Sequence, residues 1–430
     1  MKSPSRLLFT FHFSLFTAVL CAASEPAPTA NALRAEADAL AADIATRLGS
    51  SVRPGVPFPG YRPPVAPDAD PYAAIAPDAL ENDRDEFARM ATRLSKGNSL
   101  WHPPTPDDVS ILADTLPRLT NLAAAADAFA TPGYRSSLPG LVFPPDGPAA
   151  SPDMWFAEPR LPDALVAARY LVHRIRLALA QGDTAAALAD RARLLAITEI
   201  FLREPSSIGP IAAVAFRNPA AFPNLPPDAL ADAARDASSL ADDLEARWPD
   251  LLLSSFHCML DENLDPNLYP APDDIPADVW PQTLRLAALR RLDTTADAIR
   301  AALVLPPGPE RSAAFPAPDY TIDPELPIPE LFAKITVSFV RYDTFFALSR
   351  SRDNASIALA AVALLRYHRD SGALPDTLDV LVPDYLPALP VAFADGAPLA
   401  YTPSAEDASP GFTLSFPDTP HAAFFPLPAP

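Results

Sequence analysis

Apolar residues recur every three or four positions through most of the chain, and this spacing predicts α-helices. A polar break at residues 181–184 follows the clearest of these stripes, and a second stripe covers residues 185–203. Because two long helices joined by so short a turn must lie antiparallel, the pair predicts a helical hairpin. The first stripe of the hairpin consists of Leu161, Leu165, Ala168, Leu171, Ile175 and Leu179.

Five segments of the form Pro-Asp-x-Leu or Pro-Asp-x-Val stand at the head of helical stretches. Proline at the first helical position loses no hydrogen bond, and an aspartate in the first turn faces the positive end of the helix dipole. These segments therefore predict helix starts, and their irregular spacing argues against a solenoid repeat. They begin at Pro77, Pro106, Pro162, Pro227 and Pro375.

The C-terminal residues 351–430 have a different pattern. Residues 357–365 are apolar on nearly all sides, which predicts a helix buried among others, and residues 375–382 predict one further helical turn. Residues 399–401 and 412–416 predict two short strands of a hairpin. The predicted fold is mainly α, an array of antiparallel helices with a small α+β C-terminal unit (long helix plus β-hairpin). The remaining helices are predicted over residues 31–48, 78–95, 106–130, 227–247, 250–264, 279–303 and 329–350.

Proline is abundant and glycine is scarce, with 55 and 13 residues respectively. Much of the proline marks helix starts, and the rest predicts extended loops at 51–71, 131–162 and 305–329. These features predict four regions along the chain. They are a signal peptide at 1–24, an N-terminal helical region with a proline-rich segment at 25–135, a helical core region at 155–350 and the C-terminal unit at 351–430.

The N-terminus has the pattern of a secretory signal. Lys2 and Arg6 precede a mostly apolar run at residues 7–20, and small residues at 21–24 suit cleavage after Ala23 or Ser24. We therefore expect an exported protein, periplasmic or extracellular. The alternative is an uncleaved segment that anchors the protein to the membrane through residues 7–23, although the apolar run is shorter than the roughly 20 residues that span a bilayer.

The chain is acidic, with a formal net charge of −20. Removal of the signal takes away two positive charges, so the mature chain has a net charge of −22. Phosphate binding needs a clustered excess of lysine and arginine, and this charge therefore excludes a nucleic-acid role. Only Cys258 remains after removal of the signal, so no internal disulfide is expected.

The C-terminal unit resembles a known pattern. Tyr367, residues 372–375, residues 381–386, Gly396 and Tyr401 carry the spacing Y…G.LP..L..L.P.YL..P…G..L.Y. This spacing is similar to the segment that follows the long helix of type II secretion pseudopilins. It is also similar to the C-terminal segment of exported helical proteins of planctomycetes and verrucomicrobia, which have no established activity. The hairpin turn at 181–183 and residues 203–208 resemble the middle region of the second group.

The resemblance implies a shared small fold, and the departures limit what else it implies. The N-terminus lacks the Gly-Phe-Thr-Leu-x-Glu processing site of pseudopilins and their assembly helix. Val391 and Ala392 stand where an Asp-Pro pair is usual, and no acidic calcium loop follows Leu414. Filament assembly and calcium binding are therefore not expected.

Two groups of residues are candidates for chemistry. Glu199 and Glu204 could act as an acid and base pair, although an ion pair between Glu199 and Arg203 one turn apart explains Glu199 more simply. His257 and Asp261 could present two metal ligands on one helix face, with Cys258 and Glu262 nearby. Zinc needs three or four ligands and no third is evident, so no metal site, cofactor or catalytic residue is predicted.

The leading hypothesis is a non-enzymatic exported helical protein of the cell envelope that serves as a scaffold and binds a protein partner. The first alternative is a carboxylate-dependent envelope hydrolase, which rests on Glu199, Glu204 and the cluster at residues 257–262. The second is an accessory component of a secretion or pilus-like assembly, which depends on the C-terminal unit alone.

Overall fold

The protein is described by a computed structural model, and the residues that it describes form twelve α-helices and three β-strands. The described residues are 28–52, 63–94, 104–138, 160–204, 208–263, 271–315, 326–404, 410–417 and 422–427. The helices are α1 (Ala30–Leu48), α2 (Pro77–Arg93), α3 (Pro106–Thr115), α4 (Thr120–Phe129), α5 (Leu161–Ala180), α6 (Thr184–Phe201), α7 (Ile208–Phe216), α8 (Pro227–Ala246), α9 (Trp248–Asn263), α10 (Trp280–Leu303), α11 (Pro309–Ala313) and α12 (Ile328–Ser371). The strands are β1 (Ala400–Ser404), β2 (Gly411–Ser415) and β3 (Ala423–Pro426). The predicted fold class, mainly α with a small β unit, is confirmed.

The prolines start helices as their sequence context predicts, with one exception. Proline lies in the first turn of α2, α3, α5 and α8. At α3 the start is reinforced because the Thr105 hydroxyl accepts from the Asp108 N–H while the Asp108 carboxylate accepts from the Thr105 N–H. The exception is Pro375, which is followed only by a short 3-10 turn at Leu378–Leu381.

Three expectations about helix boundaries are corrected. The helix predicted over 106–130 is interrupted after Thr115, where Pro117 belongs to a 3-10 turn and an α-helix resumes at Thr120. Two short helices, α7 and α11, are not predicted at all, and α11 lies within the expected loop at 305–329. Both are too short to produce a clear apolar period.

The predicted helical hairpin is present as α5 and α6. Gly182 occupies the turn with φ of 76°, a left-handed conformation that glycine adopts without strain. The Asp183 side chain accepts a hydrogen bond from the Ala186 N–H at 3.0 Å and caps the start of α6. A left-handed glycine followed by an N-cap aspartate therefore makes the sharp reversal between the helices.

The largest difference from the sequence prediction is α12. Helices are predicted over 329–350 and 357–365, but a single helix of 44 residues runs from Ile328 to Ser371. The polar residues 351–354 look like a break in the sequence, yet three of the four are buried inside the helix. The predicted boundary between residues 350 and 351 thus falls within a continuous helix, which ends at Gly372 in a left-handed conformation.

The buried apolar side chains form two hydrophobic cores. Core A takes its residues from 72–234 and from 357–425, and core B takes nearly all of its residues from 37–52, 240–315 and 332–348. Helices α8 and α12 contribute to both cores, α8 with its first half to core A and α12 with its first half to core B. The two helices therefore pack antiparallel and connect the cores.

The C-terminal unit contains three strands where two are predicted. The sheet has the order β1-β2-β3, and both pairings are antiparallel. Tyr401 lies opposite Leu414, and Phe412 lies opposite Phe425 with the two rings stacked 5.5 Å apart. The buried side chains of this sheet belong to core A. The third strand, Ala423–Pro426, is missed because its proline-rich flanks are typical of a loop.

Candidate functional site

Glu199 takes part in an ion pair, although its partner differs from the one that the sequence suggests. It lies near the end of α6 and binds the guanidinium of Arg217. The Arg217 Nε also donates to the Thr198 hydroxyl at 2.8 Å, which ties α6 to the end of α7. The guanidinium of Arg203 donates instead to the Glu199 carbonyl oxygen at 2.9 Å and to the Tyr134 carbonyl oxygen at 3.1 Å. The expected Glu199–Arg203 side-chain pair is therefore corrected.

Glu204 lies in the interior, three residues after the end of α6. Only 2 % of it is exposed. It packs against Gly209 of α7 so closely that an added Cβ on Gly209 would lie 2.5 Å from the Glu204 Cβ and 2.2 Å from the Phe201 carbonyl oxygen. Glu199 is exposed by comparison, with 60 % of its side chain in solvent. The two carboxyl groups thus occupy different environments.

His257 is buried in α9. Burial is the main cause that lowers the pKa of His257 to about 3, and the positive charge of Arg285 acts in the same direction. The imidazole is therefore neutral at any physiological pH. Cys258 beside it is a buried thiol, and the side chains of Asp261 and Glu262 lie outside the described residues. No group of three His, Cys, Asp or Glu side chains that could hold a metal ion occurs in the part of the chain that is described.

A cluster of polar side chains lies where α12 passes from core B to core A. We call it the core junction and define it as Ser349, Arg352 and Asp353 of α12 with their partners. The Asp353 carboxylate accepts hydrogen bonds from the Phe393 N–H at 2.9 Å and from the Ser349 hydroxyl at 3.2 Å. Only 6 % of Asp353 is exposed.

Burial dominates the ionisation of Asp353. It raises the pKa of this carboxyl to about 6, although the two hydrogen bonds and the charge of Arg350 lower it. The charge of the nearby Asp395 carboxylate acts in the same direction as burial, and about 6 is the pKa that all these effects produce together. Asp353 therefore changes charge in a pH range where an exposed aspartate is fully ionised.

The hydrogen bond from the Phe393 N–H to Asp353 fixes the loop that precedes the sheet. The Phe393 ring lies in core B, with its centre 5.9 Å from the centre of the Phe345 ring. The Arg311 guanidinium lies 3.7 Å from the centre of the Phe393 ring. The Gly308 N–H donates to the Ala394 carbonyl oxygen at 3.2 Å. The loop is thus held between α12 and the segment that leads into α11.

Arg352 completes the core junction on the side of α8. Its Nε donates to the Glu245 carboxylate at 2.8 Å, and a second guanidinium nitrogen contacts Glu245 at 2.7 Å and Asp242 at 2.8 Å. The hydrogen bond to Glu245 is the main cause that raises the pKa of Arg352. The two helices that connect the cores are therefore also joined by a bidentate ion pair.

The residues of the core junction are not among the sequence candidates. Their only signal is the polar run Ser351-Arg352-Asp353-Asn354, which indicates a loop when it is read without its partners. Chemically, the core junction fixes the backbone at Phe393, and its Asp353 carboxyl titrates near pH 6. It joins two helices and a loop.

No family model, no curated protein and no solved structure matches the chain. The resemblance to exported proteins of planctomycetes and verrucomicrobia, and to pseudopilins, therefore stays a prediction. Among the helices that are described, none is both long and apolar enough to cross a membrane. The predicted signal peptide at 1–24 and the alternative anchor at 7–23 lie outside the described residues.

Proposed function

We propose that this protein is an exported helical scaffold of the cell envelope that acts by binding a protein partner, without enzymatic activity of its own. The observation that carries the proposal is the pair of helices α8 and α12, which contribute to both cores and are joined by Arg352. Such a pair gives the helices around it a fixed arrangement, and a fixed arrangement is what a binding surface needs.

The distribution of charge supports the same proposal. Three arginines connect α1 with α10: Arg47 contacts Asp293 and Asp297, and Arg285 contacts Asp38 at 3.0 Å. The third, Arg290, contacts a glutamate of α1 at 2.6 Å. Only six acidic residues are buried among those that the structure describes, and because the chain has a net charge of −20, its surface is acidic. An acidic surface repels nucleic acids and anionic membranes and favours protein partners.

Recovery of a specific partner tests the proposal. The full-length protein with a C-terminal tag, expressed in its source organism, is crosslinked in whole cells and purified from the envelope fraction. We expect a specific partner to co-purify, and we expect the recovered protein to begin at Ser24 or Glu25 if the signal is cleaved. Recovery of the protein from the cytoplasm, or its purification alone under several crosslinkers, would contradict the proposal.

An accessory role in a secretion or pilus-like assembly is the second candidate. The observation that favours it is that α12 leads through Gly372 and one 3-10 turn into the small antiparallel sheet, which is the order that the pseudopilin resemblance implies. Deletion of the whole gene should then change the set of proteins found outside the cell. An unchanged set would remove this candidate. The hydrolase alternative gains no support from the separate environments of Glu199 and Glu204.

A further inference from the structure

Residues 391–398 form a closed loop directly before the sheet, and we call it the bridging loop. Its two ends are joined where Val391 pairs with Pro398 in an isolated antiparallel β-bridge. Inside the loop the Ala392 N–H donates to the Ala397 carbonyl oxygen at 2.8 Å. The shape of the bridging loop therefore depends on hydrogen bonds within the loop itself.

The base of the bridging loop lies in core A, and its tip lies in core B. Ala392, together with Leu399 directly after the loop, is buried in core A. Phe393 is buried in core B, and Ala394 packs against the same core. The buried side chains of the sheet that follows also belong to core A. Withdrawal of the tip from core B would therefore leave the base of the loop and the sheet in place.

The tip is attached to α12 through a carboxyl group that has only neutral donors. The Asp353 side chain accepts from the Phe393 N–H at 2.9 Å and from the Ser349 hydroxyl at 3.2 Å. In the part of the chain that the structure describes, Asp353 has no ion pair with an arginine or a lysine. A buried carboxylate without a paired cation favours its protonated form. The protonated group still has an oxygen that accepts from the Phe393 N–H.

Three arginines lie near Asp353, and each of them has another partner. The guanidinium of Arg350, on the same helix, lies 5.1 Å from the centre of the Phe346 ring. Arg352 contacts the carboxylates of α8. Arg311 of α11 donates to the Leu303 carbonyl oxygen at 3.1 Å. None of the three therefore neutralises Asp353 by direct contact.

The acidic groups around Asp353 add negative charge. Glu245 and Asp242 of α8 share the guanidinium of Arg352. Asp395 of the bridging loop accepts from an N–H of its own loop at 2.9 Å. Burial, with a contribution from the charge of Asp395, outweighs the two hydrogen bonds and the charge of Arg350, so the pKa of Asp353 is about 6.

We propose that the core junction is a pH-sensitive switch, in which protonation of Asp353 holds the tip of the bridging loop in core B and ionisation of Asp353 releases it. In the released state the carboxyl group and the Phe393 N–H both reach water, while the sheet stays in core A. This inference goes beyond the scaffold function and does not depend on it.

The direction of the switch follows from proton binding. In the open state the carboxyl group is in water, where its pKa has the ordinary value of 3.8, and in the closed state the pKa is about 6. Between these values the closed state holds a proton that the open state lacks, so a rise in pH favours opening. The two pKa values give about a tenfold rise in the ratio of open to closed molecules from pH 5 to pH 8.

Hydrogen exchange of the bridging loop tests the inference. The mature chain is labelled with deuterium at pH 5 and at pH 8, and each exchange rate is divided by that of an unfolded peptide at the same pH. We expect the protection of the loop amides to be about tenfold lower at pH 8, and the protection of strand β2 to stay the same. In Asp353→Asn the protection of the loop should not depend on pH.

A second variant shifts the switch without removing it. Asp395→Asn keeps the acceptor for the Ala397 N–H and removes a charge that raises the pKa of Asp353. The pH at which loop protection begins to fall should therefore move to lower values. The matched control is Asp379→Asn, which removes the same charge from an exposed position of the C-terminal unit and should leave this pH unchanged.

Three results would overturn the inference. The first is equal protection of the wild-type loop at pH 5 and pH 8, and the second is an Asp353→Asn loop that still responds to pH. The third is a loss of protection in β2 as large as that in the loop, since the C-terminal unit would then open as a whole. If Asp353→Asn does not fold, Asp395→Asn decides, and an unshifted pH dependence in that variant rejects the switch.

Discussion

Asp353 of the long helix accepts a hydrogen bond from the backbone N–H of Phe393, 40 positions later in the chain, at 2.9 Å. The Phe393 side chain lies in core B, while the sheet that follows it lies in core A. This one bond therefore fixes the C-terminal unit at the point where the two cores meet. It also requires a carboxyl group to be buried, and that burial has a measurable consequence.

Asp353→Asn should stabilise the protein above pH 6. The folded state raises the pKa of Asp353 from 3.8 to about 6 because the group is buried. Between these two values the folded state holds a proton that the unfolded state lacks, so the stability of the wild type rises as the pH falls from 6 to 4. Above pH 6 the buried charge costs about 3 kcal/mol. Asparagine keeps the acceptor for Phe393 and removes this cost.

Urea denaturation of both proteins between pH 4 and pH 8 measures the effect. The difference in unfolding free energy should be largest at pH 8 and small at pH 4. Other acidic groups titrate in both proteins, so they cancel in the difference. Parallel pH profiles for the two proteins would contradict the assignment of a raised pKa to Asp353.

Arg352→Gln should weaken the connection between α8 and α12. The guanidinium makes a bidentate contact with Glu245, and its side chain is 30 % exposed, so a loss of about 1 kcal/mol is expected. A double-mutant cycle with Glu245→Gln should assign most of this loss to the pair. Arg369→Gln is the exposed control and should change stability by less than about 0.5 kcal/mol. Additive effects of the two substitutions would show that the pair contributes nothing.

Local sequence signals predict the helices well where one face is apolar and the start is marked. The start of α5 at residue 161 and that of α8 at Pro227 follow from proline, aspartate and period alone. The continuity of α12 cannot be predicted in this way. In the sequence Arg352 and Asp353 indicate a helix break, and only their contacts with Glu245 and Phe393 explain why they lie within a helix. Whether such a polar segment forms a loop or stays within a helix depends on the tertiary contacts of its side chains.

The candidate sites were less predictable than the fold. Spacing suggests that Glu199 pairs with Arg203 four positions later. The Glu199 carboxylate binds Arg217 instead, because α7 packs against α6 and places Arg217 next to it. Helix α7 has only nine residues, which are too few to show a clear apolar periodicity. A pair that depends on an element invisible in the sequence cannot be predicted from spacing.

Gly209→Ala should destabilise the packing of α7 on α6. The new methyl group would lie 2.2 Å from the Phe201 carbonyl oxygen and 2.5 Å from the Glu204 Cβ, so the backbone must move. A loss of about 2–3 kcal/mol is expected from such overpacking. Gly372→Ala is the control, since it has no atom within 4 Å and strains only a φ of 78°, which costs about 1 kcal/mol. Guanidinium denaturation should show a larger loss of unfolding free energy for Gly209→Ala than for Gly372→Ala. Equal losses would contradict the close contact of Gly209 with Phe201 and Glu204.

The shared helices should make the two cores unfold together. Leu171 of α5 is 1 % exposed in core A, so Leu171→Ala should cost about 2–5 kcal/mol. Cys258 of α9 is buried, and its helix neighbours Phe256 and Leu260 belong to core B, so its thiol reacts only when that region opens. If α8 and α12 couple the cores, Leu171→Ala should speed the labelling of Cys258 by a thiol reagent, although Leu171 lies in core A and the neighbours of Cys258 lie in core B.

The labelling experiment separates coupling from a general effect of the substitution. Leu359→Ala removes the same atoms from α12, but Leu359 is 43 % exposed, so the labelling rate should stay near that of the wild type. When opening and closing are fast compared with labelling, the rate reports the free energy of opening. A Leu171→Ala protein whose Cys258 labels at the wild-type rate would mean that core B opens independently. In that case α12 would join two separate folding units and would not form one cooperative framework.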